Sequence, residues 1–274
     1  MLERERQSLI VRLVQERSFV SVSELLGLVD VSEATIRRDI TFLANRGEVK
    51  RIRGGAEAIR PRHQGHLIGM PFSLSRNIRA EEKRAIAREA VGLITPGESI
   101  LINAGTTTYA LSEFLIGHEL DILTNSFPIA ATLVATSRNR VTVSAGTIFR
   151  EQNIILSPFH DDSISNFWGR KLFTSCYAIN RLGLMEADPL IVQAQMKLLE
   201  RAEEVIVMAD SSKLRQLSSM IVTGLDRISV LVTDNRVTAT EVEAFERANV
   251  RVIVAEVTAD DQAHARLRRR TEVA

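Results

Sequence analysis

The sequence predicts two units: a small unit of three helices with a β-wing, followed by an α/β domain with a mainly parallel sheet. Three observations lead to this prediction. Apolar residues recur at helical spacing over about the first 46 positions. A short stretch of alternating apolar and basic residues follows. From Gly97 onward, apolar runs of strand length alternate with helical segments, as in a sheet that is covered on both faces.

The first two helices are predicted at 3–17 and from Ser21 to about Val29. The first carries its apolar residues on one face. At the start of the second, Ser21 and Glu24 have the spacing of a capping box, in which the hydroxyl accepts from the first turn and the carboxylate reaches back. A tight turn then leads to a third helix.

The third helix is predicted to begin after Ser32, which caps it, and to end at Gly47. Ile36, Ile40 and Leu43 recur at i, i+4 and i+7, so they face the other two helices. The polar residues between them therefore point outward, two arginines included. Two helices joined by a short turn, the second with an exposed cationic face, are typical of a helix-turn-helix.

A basic wing follows the third helix. Residues 48–53 alternate apolar and basic residues and are predicted to turn at Gly54–Gly55. An arginine pair alone is usually a solvated helix face, but beside such a wing it indicates binding to double-stranded DNA. The net charge is only +1, so the cationic surface is local. We expect DNA contacts from Ser32, Thr35, Arg37, Arg38, Thr41, Lys50, Arg51 and Arg53.

The remaining chain divides into a linker, the α/β domain and a tail. Residues 57–79 lack periodicity and are predicted to be a linker, and a helix is expected at about 81–93. The predicted boundaries are 1–56 for the winged helix-turn-helix domain, 57–79 for the linker, 80–258 for the α/β domain and 259–274 for a flexible tail. The predicted strands are 99–103, 121–125, 141–146, 172–179, 204–210, 229–234 and 250–257.

Three strand ends carry polar residues suited to an anionic ligand. Ligands of such sheets collect at the carboxyl ends of the strands, and helix N-termini, hydroxyls and cations favour phosphate. Each stretch alone is more often a simple helix cap. Together they predict an effector pocket formed by Asn103, Gly105, Thr106, Thr107, Thr108, Asn125, Ser126, Asp210, Ser211, Ser212 and Lys213.

Composition and isolated reactive residues argue against other classes. No apolar run is long enough to span a membrane, and the N-terminus lacks the apolar core of a signal peptide, so we expect a cytoplasmic protein. Cys176 is predicted to be a packing residue in a strand, and His63 and His66 to be solvated. His160 precedes two aspartates in a polar loop. No catalytic residue, metal site or cofactor is predicted.

Residues 20–56 resemble the N-terminal DNA-binding domain of the DeoR family of bacterial repressors. The resemblance rests on S-x-x-T-I-R-R-D-I, the glycine after the helix and the wing ending in R-G-G-A. The α/β domain resembles the sugar-phosphate-sensing domain of that family, related to ribose-phosphate isomerases, at INAGTTT, LTNSFPIA and VIVMADSSK. The segments NIILSP and LFTSCYAINRLGLMEAD look closest to the ascorbate-utilisation branch of the family.

The resemblance implies a repressor that a phosphorylated sugar or sugar acid, an opine ester included, releases from operator DNA. A homo-oligomer, dimer or tetramer, would offer several half-sites. Common family members carry Gly-Gly at Ala145–Gly146 and Asp-Gly after the following strand, where this chain has Cys176–Asn180. The isomerases use acidic residues there, so their absence favours binding without turnover. A sugar-phosphate isomerase using Asp210, and an activator, remain alternatives.

Overall fold

The computed structural model describes residues 3–17, 19–29, 31–52, 54–57, 67, 70–157 and 163–271. These residues form two compact units, Met1–His66 and Leu67–Ala274. Arg53, His63, His66 and the loop with His160 lie outside the described residues. No described helix has the length and apolar character needed to cross a membrane.

The first unit contains three helices and a three-stranded antiparallel sheet. Ser21 and Glu24 form the predicted capping box, with Glu24 N donating to Ser21 Oγ and Ser21 N donating to Glu24 Oε2. Gly47 has a φ of +70° where the third helix ends, a backbone conformation that glycine tolerates best. The elements are α1 (Glu3–Arg17), β1 (Phe19–Ser21), α2 (Val22–Leu28), α3 (Glu33–Asn45), β2 (Lys50–Ile52) and β3 (Gly55–Glu57), with sheet order β1-β3-β2.

The core of the first unit confirms the predicted faces of its helices. Ile36, Ile40 and Leu43 of α3 are all buried. Asp39 is buried beside them, which the apolar spacing did not indicate, and its carboxylate accepts from Arg6 Nε of α1 at 2.5 Å. A buried carboxylate requires such a partner, so this pair joins α1 to α3.

The second unit is built on a seven-stranded parallel sheet, as predicted. Its strand order is β15-β14-β12-β9-β4-β5-β6, and every neighbouring pair is parallel. The strands are β4 (Ser99–Ile102), β5 (Asp121–Thr124), β6 (Arg140–Val143), β7 (Thr147–Phe149), β8 (Ile154–Leu156), β9 (Gly169–Thr174), β10 (Ala178–Asn180), β11 (Gly183–Glu186), β12 (Ala202–Met208), β13 (Met220–Thr223), β14 (Val230–Asp234) and β15 (Arg251–Ala255).

Helices cover both faces of this sheet, with one apolar core on each side. β7 and β8 form a hairpin, and β10, β11 and β13 form a separate antiparallel sheet. The helices are α4 (Phe72–Ser75), α5 (Ala80–Val91), α6 (Thr106–Ser112), α7 (Phe127–Thr136), α8 (Pro189–Leu199), α9 (Ala239–Glu246) and α10 (Ala259–Thr271), with 3-10 turns at Ser163–Asn166, Ser211–Arg215 and Leu225–Arg227.

One predicted strand, 172–179, is wrong because it is split between two sheets. β9 ends at Thr174, and β10 begins at Ala178 in the small antiparallel sheet. No glycine or proline marks the break, so the apolar run looked continuous. Cys176 lies in the connection and is buried, and this burial raises the pKa of its thiol.

Two segments expected to be irregular are partly helical. The predicted linker, 57–79, lies outside the described residues at 58–66 and 68–69. Its last part forms α4, where the Phe72 ring meets the edge of Tyr109 at 5.2 Å between ring centres.

The tail is not frayed from residue 259. It forms α10, because the buried carboxylate of Asp261 accepts from Arg88 of α5 at 2.5 Å.

Candidate functional site

The outward face of α3 carries the polar residues expected to contact DNA. Ser32 Oγ accepts from Thr35 N at 3.2 Å and lies 2.9 Å from Thr35 Oγ1, so both hydroxyls take part in capping the helix. Arg37 and Arg38 are exposed. The Thr41 hydroxyl donates to Arg37 O at 2.8 Å and therefore lies along the same face.

The wing brings two further cations to α3. Arg51 of β2 donates to Thr41 Oγ1 at 3.1 Å, so the strand is fixed against the outward face of the helix. Lys50 precedes it on the same strand. We call this set the α3–wing surface, and it comprises Ser32, Thr35, Arg37, Arg38, Thr41, Lys50 and Arg51.

Acidic neighbours partly neutralise the α3–wing surface. Arg37 pairs with Glu33, one turn earlier, at 2.6 Å, and Lys50 pairs with Glu57 of β3 at 3.2 Å. Within the described part of the chain, the Arg38 guanidinium has neither an ion pair nor a hydrogen bond. Four cations thus face two carboxylates, and Arg38 is the one most available to a polyanion.

At the carboxyl edge of the parallel sheet, the ends of β4 and β5 meet as expected. Asn125 Oδ1, just after β5, accepts from Ala104 N at 2.7 Å. Asn103, at the end of β4, is buried and its Nδ2 donates to Thr174 Oγ1 of β9 at 3.0 Å. Two of the predicted effector residues therefore lie side by side beneath the start of α6.

Several other predicted effector residues are occupied with local structure. Thr108 is buried and its hydroxyl donates to Asn103 O at 2.7 Å. Ser126 caps α7 by accepting from Ile129 N at 3.4 Å. Thr107 is also buried, whereas Thr106 is half-buried and lies 3.5 Å from Ser75 of α4. Of these three threonines, only Thr106 is not buried.

Gly105 is required by close packing at this point of the chain. A Cβ at Gly105 would overlap with the Ser175 hydroxyl in the β9–β10 connection. The absence of a side chain therefore lets the start of α6 approach the end of β9.

The residues after β12 form a tight polar turn. Asp210 Oδ1 accepts from Ser212 N at 3.1 Å, and Ser211 N donates to Asp234 of β14 at 2.6 Å. Lys213 Nζ lies 5.5 Å from the centre of the Tyr177 ring. In this turn, Lys213 supplies the cation that the sequence predicted.

Two cations that the sequence analysis did not single out join this turn. Arg79, just before α5, pairs with Asp210 at 3.5 Å, and Lys83 Nζ donates to Ser75 O at 2.5 Å. Burial lowers the pKa of Lys83 to about 8; Asp210 opposes that shift, and the charge of Lys213 adds to it. We call Arg79, Lys83, Asp210 and Lys213 the sheet-edge cluster.

One half-buried carboxyl borders the sheet-edge cluster. Burial raises the pKa of Glu186, at the end of β11, to about 7, and the charge of Lys213 opposes that rise. The backbone N–H groups of Tyr177 and Ala187 oppose that rise as well. Glu186 can therefore change its charge near neutral pH, next to the predicted effector residues.

A glutamine of α8 completes the polar edge, and no sequence pattern indicates it. Gln195 is fully buried, and its Nε2 donates to Thr174 Oγ1 at 2.6 Å and to Ser175 O at 2.8 Å. A helical pattern of apolar residues surrounds it in the sequence. Only the strand break after Thr174, which was not predicted, brings it to the edge.

The arrangement suits binding of an anion. Three cations surround one carboxylate in the sheet-edge cluster, and partial burial strengthens their attraction for an anionic ligand. No group of His, Cys, Asp and Glu among the described residues could hold a metal ion.

Comparison with protein families identifies both units. Residues 6–62 match the DeoR-like helix-turn-helix domain, and residues 78–235 match the DeoR C-terminal sensor domain. The chain is 31% identical over 256 residues to the HTH-type transcriptional regulator UlaR of Shigella dysenteriae serotype 1 (strain Sd197), covering 92% of this chain and 99% of the relative. UlaR of Shigella sonnei (strain Ss046) is 32% identical over the same shares.

The solved structures that this chain matches are more distant. A translation initiation factor eIF-2B of Pyrococcus horikoshii OT3 aligns over 78% of this chain and 82% of its own, with 15% identity and a TM-score of 0.43. Ribose 5-phosphate isomerase A of Methanocaldococcus jannaschii aligns over 48% of this chain and 53% of its own, with 16% identity and a TM-score of 0.35.

Proposed function

This chain belongs to the DeoR family of helix-turn-helix transcription regulators, and we propose that it represses an operon for catabolism of a sugar or sugar acid and leaves its operator when a phosphorylated effector binds. Its relatives are named as transcriptional regulators, so the chain is a regulator and not an enzyme.

The α3–wing surface supports the DNA-binding half of the proposal. An exposed helix face with Arg37, Arg38 and Thr41 fits the major groove, where arginine pairs with guanine in two hydrogen bonds. Lys50 and Arg51 lie where backbone phosphates flank such a helix. Arg53 and Thr35 remain predicted contacts, and we expect Ser32 to lie near a backbone phosphate at the start of α3.

The sheet-edge cluster carries the effector half of the proposal. Arg79, Lys83 and Lys213 together exceed the charge of Asp210, and a phosphate would supply the missing negative charge. Thr106 and Ser212 offer hydroxyls next to these cations. A binding ligand can shift the regulator off DNA only if it prefers the DNA-incompetent state.

A titration of a protein–DNA complex tests the whole proposal. Fluorescently labelled DNA from upstream of the chain's own gene is bound, and phosphorylated sugars and sugar acids are added with their unphosphorylated counterparts as controls. We expect at least one phosphorylated compound, and no unphosphorylated one, to release the DNA. Failure of every phosphorylated compound, together with an unchanged response in Lys213→Ala, would contradict the effector role.

A further inference from the structure

Three buried amide side chains meet at the carboxyl edge of the sheet, each with only one end bonded to protein. Asn103 is 1% exposed, and Asn125 and Gln195 are 0% exposed. Asn103 Oδ1, Asn125 Nδ2 and Gln195 Oε1 have no hydrogen-bond partner within the described residues. A buried polar atom left unbonded costs about 1–3 kcal/mol, so three in one place call for a physical reason.

The orientation of each amide is determined by its bonded end. Gln195 Nε2 donates to the Ser175 carbonyl, which can only accept, and Asn125 Oδ1 accepts from the Ala104 N–H, which can only donate. Thr174 Oγ1 donates to Ser175 O at 3.2 Å and so accepts from Asn103 Nδ2. Rotating any amide by 180° would break one of these bonds.

The unbonded ends therefore present two acceptors and one donor. Asn139, near the amino edge of the same sheet, shows the contrast. Its Oδ1 accepts from Leu120 N at 2.9 Å and its Nδ2 donates to Leu115 O at 2.9 Å, so both ends are used. The Asn139 amide is therefore bonded within the fold at both ends, whereas each amide at the carboxyl edge has one end available to a ligand.

These amides lie beside the predicted phosphate-binding residues. The Thr108 hydroxyl at the start of α6 donates to Asn103 O, and Gly105 packs directly on Ser175, whose carbonyl accepts from Gln195. A ligand anchored near the start of α6 would thus have its next atoms close to the amides.

The chemistry of the unbonded ends selects hydroxyl groups. A hydroxyl donates and accepts, so one can satisfy the oxygen of Asn103 or Gln195 while another accepts from Asn125. A second anion would meet two carbonyl oxygens and be repelled, and an alkyl chain would leave all three atoms unbonded.

We propose that Asn103, Asn125 and Gln195 form a hydroxyl-recognition subsite that makes the effector pocket specific for a polyhydroxylated phosphate ester. Thr174 is a positioning residue, because its hydroxyl holds two of the three amides. This inference rests on the proposed function and deepens it, since it assigns the part of the ligand that follows the phosphate.

A small apolar cluster adjoins the residues of the subsite. Leu67, Ile154 and Leu156 pack against Ala104 and Ala194, which are the sequence neighbours of Asn103 and Gln195.

The test compares phosphates that differ only in hydroxyl groups. Ribitol 5-phosphate and glucitol 6-phosphate are titrated by calorimetry against n-pentyl and n-hexyl phosphate, and the ratio of the two affinities is measured. We expect the parent protein to prefer the polyol phosphates by at least about tenfold, the loss expected when buried polar groups are left unpaired. Gln195→Met should reduce this preference several-fold, mainly through weaker binding of the polyol phosphates.

Two further variants test whether a change in the affinity ratio comes from the subsite. Asn125→Asp retains the oxygen that accepts from Ala104 and removes the unbonded donor, so it should also lower the ratio even if the new charge weakens both ligands. Gln193→Met changes an exposed glutamine of the same helix and should leave the ratio unchanged. Circular dichroism confirms folding of each variant.

The outcomes separate this inference from the proposed function. Equal binding of polyol and alkyl phosphates by the parent, or an unchanged ratio in folded Gln195→Met and Asn125→Asp, overturns the hydroxyl subsite and leaves the phosphate site standing. If Lys213→Ala then abolishes binding of both phosphates, the effector role survives on its own. No binding of any phosphate by the parent overturns both.

Discussion

The two candidate sites of this regulator hold their cations in different surroundings. On the α3–wing surface, Arg37 and Lys50 are exposed to solvent and pair with acids on that surface. In the sheet-edge cluster, Lys83 is buried and its charge is opposed by neighbouring cations. Exposed cations bind through long-range attraction that salt screens, whereas buried cations require a ligand that fits. The first arrangement suits a large polyanion and the second a small one.

Charge reversal on the α3–wing surface should give the largest effect. Arg37→Glu combined with Arg38→Glu replaces two attractions to phosphate with repulsions, and we expect operator affinity to fall by at least about 100-fold, or about 2.7 kcal/mol. Fluorescence anisotropy measures this loss. Reversal of Arg138 and Arg170, two exposed cations of the second unit, is the matched control and should change operator affinity little.

Removal of one half-buried cation of the sheet-edge cluster should separate the two sites. Lys213→Ala should weaken the effector response by about 10- to 100-fold, since a charge-assisted bond to phosphate contributes about 1.5–3 kcal/mol. Operator affinity without effector should stay as in the parent. A loss of operator affinity in this variant would show that Lys213 acts on the fold instead of on the ligand.

The half-buried carboxyl of Glu186 should make the stability of the second unit depend on pH. Its pKa is raised to about 7 in the folded chain, so the folded state holds the proton more tightly than the unfolded state. The free energy of unfolding should therefore decrease as pH rises from about 4.5 to about 7, by on the order of 1–3 kcal/mol.

Glu186→Gln should remove most of that pH dependence, measured by urea unfolding at pH 5 and pH 8. Glu246→Gln, at an exposed position of α9, is the control and should retain it. The same slope in parent and Glu186→Gln would mean that Glu186 stays ionised throughout this range.

Releasing Arg37 from its acid partner should have the smallest effect on operator affinity. Glu33→Gln frees an exposed arginine from a pair worth about 0.3–0.5 kcal/mol, so operator affinity should rise about twofold. Glu243→Gln frees Arg247 from a similar pair in α9 and should leave operator affinity unchanged. Weaker DNA binding by Glu33→Gln would mean that the pair orients Arg37 for its contact.

The sequence predicts the local features of the fold well because short-range chemistry determines them. The caps at Ser21 and Ser32, the end of α3 at Gly47 and the apolar face of α3 all follow from neighbouring residues. The seven sheet strands could be located because buried parallel strands are continuous apolar runs.

What the sequence could not show depends on contacts between distant residues. The strand break after Thr174 has no glycine or proline, and it alone brings Gln195 to the sheet edge. Arg79 lies in a range that reads as a linker, and only the fold places it beside Asp210. The tail helix is held by Asp261 and Arg88, which are 173 residues apart, so no local pattern predicts it.

The strand order also bears on how the chain acquires its shape during synthesis. The central strand β9 pairs with β4 before it and with β12 after it, so the sheet cannot close until about residue 208 has been translated. The first unit consists of contacts within 66 residues, and such local contacts form fast. A ribosome-bound chain should therefore present a finished helix-turn-helix unit while the sensor is still unformed.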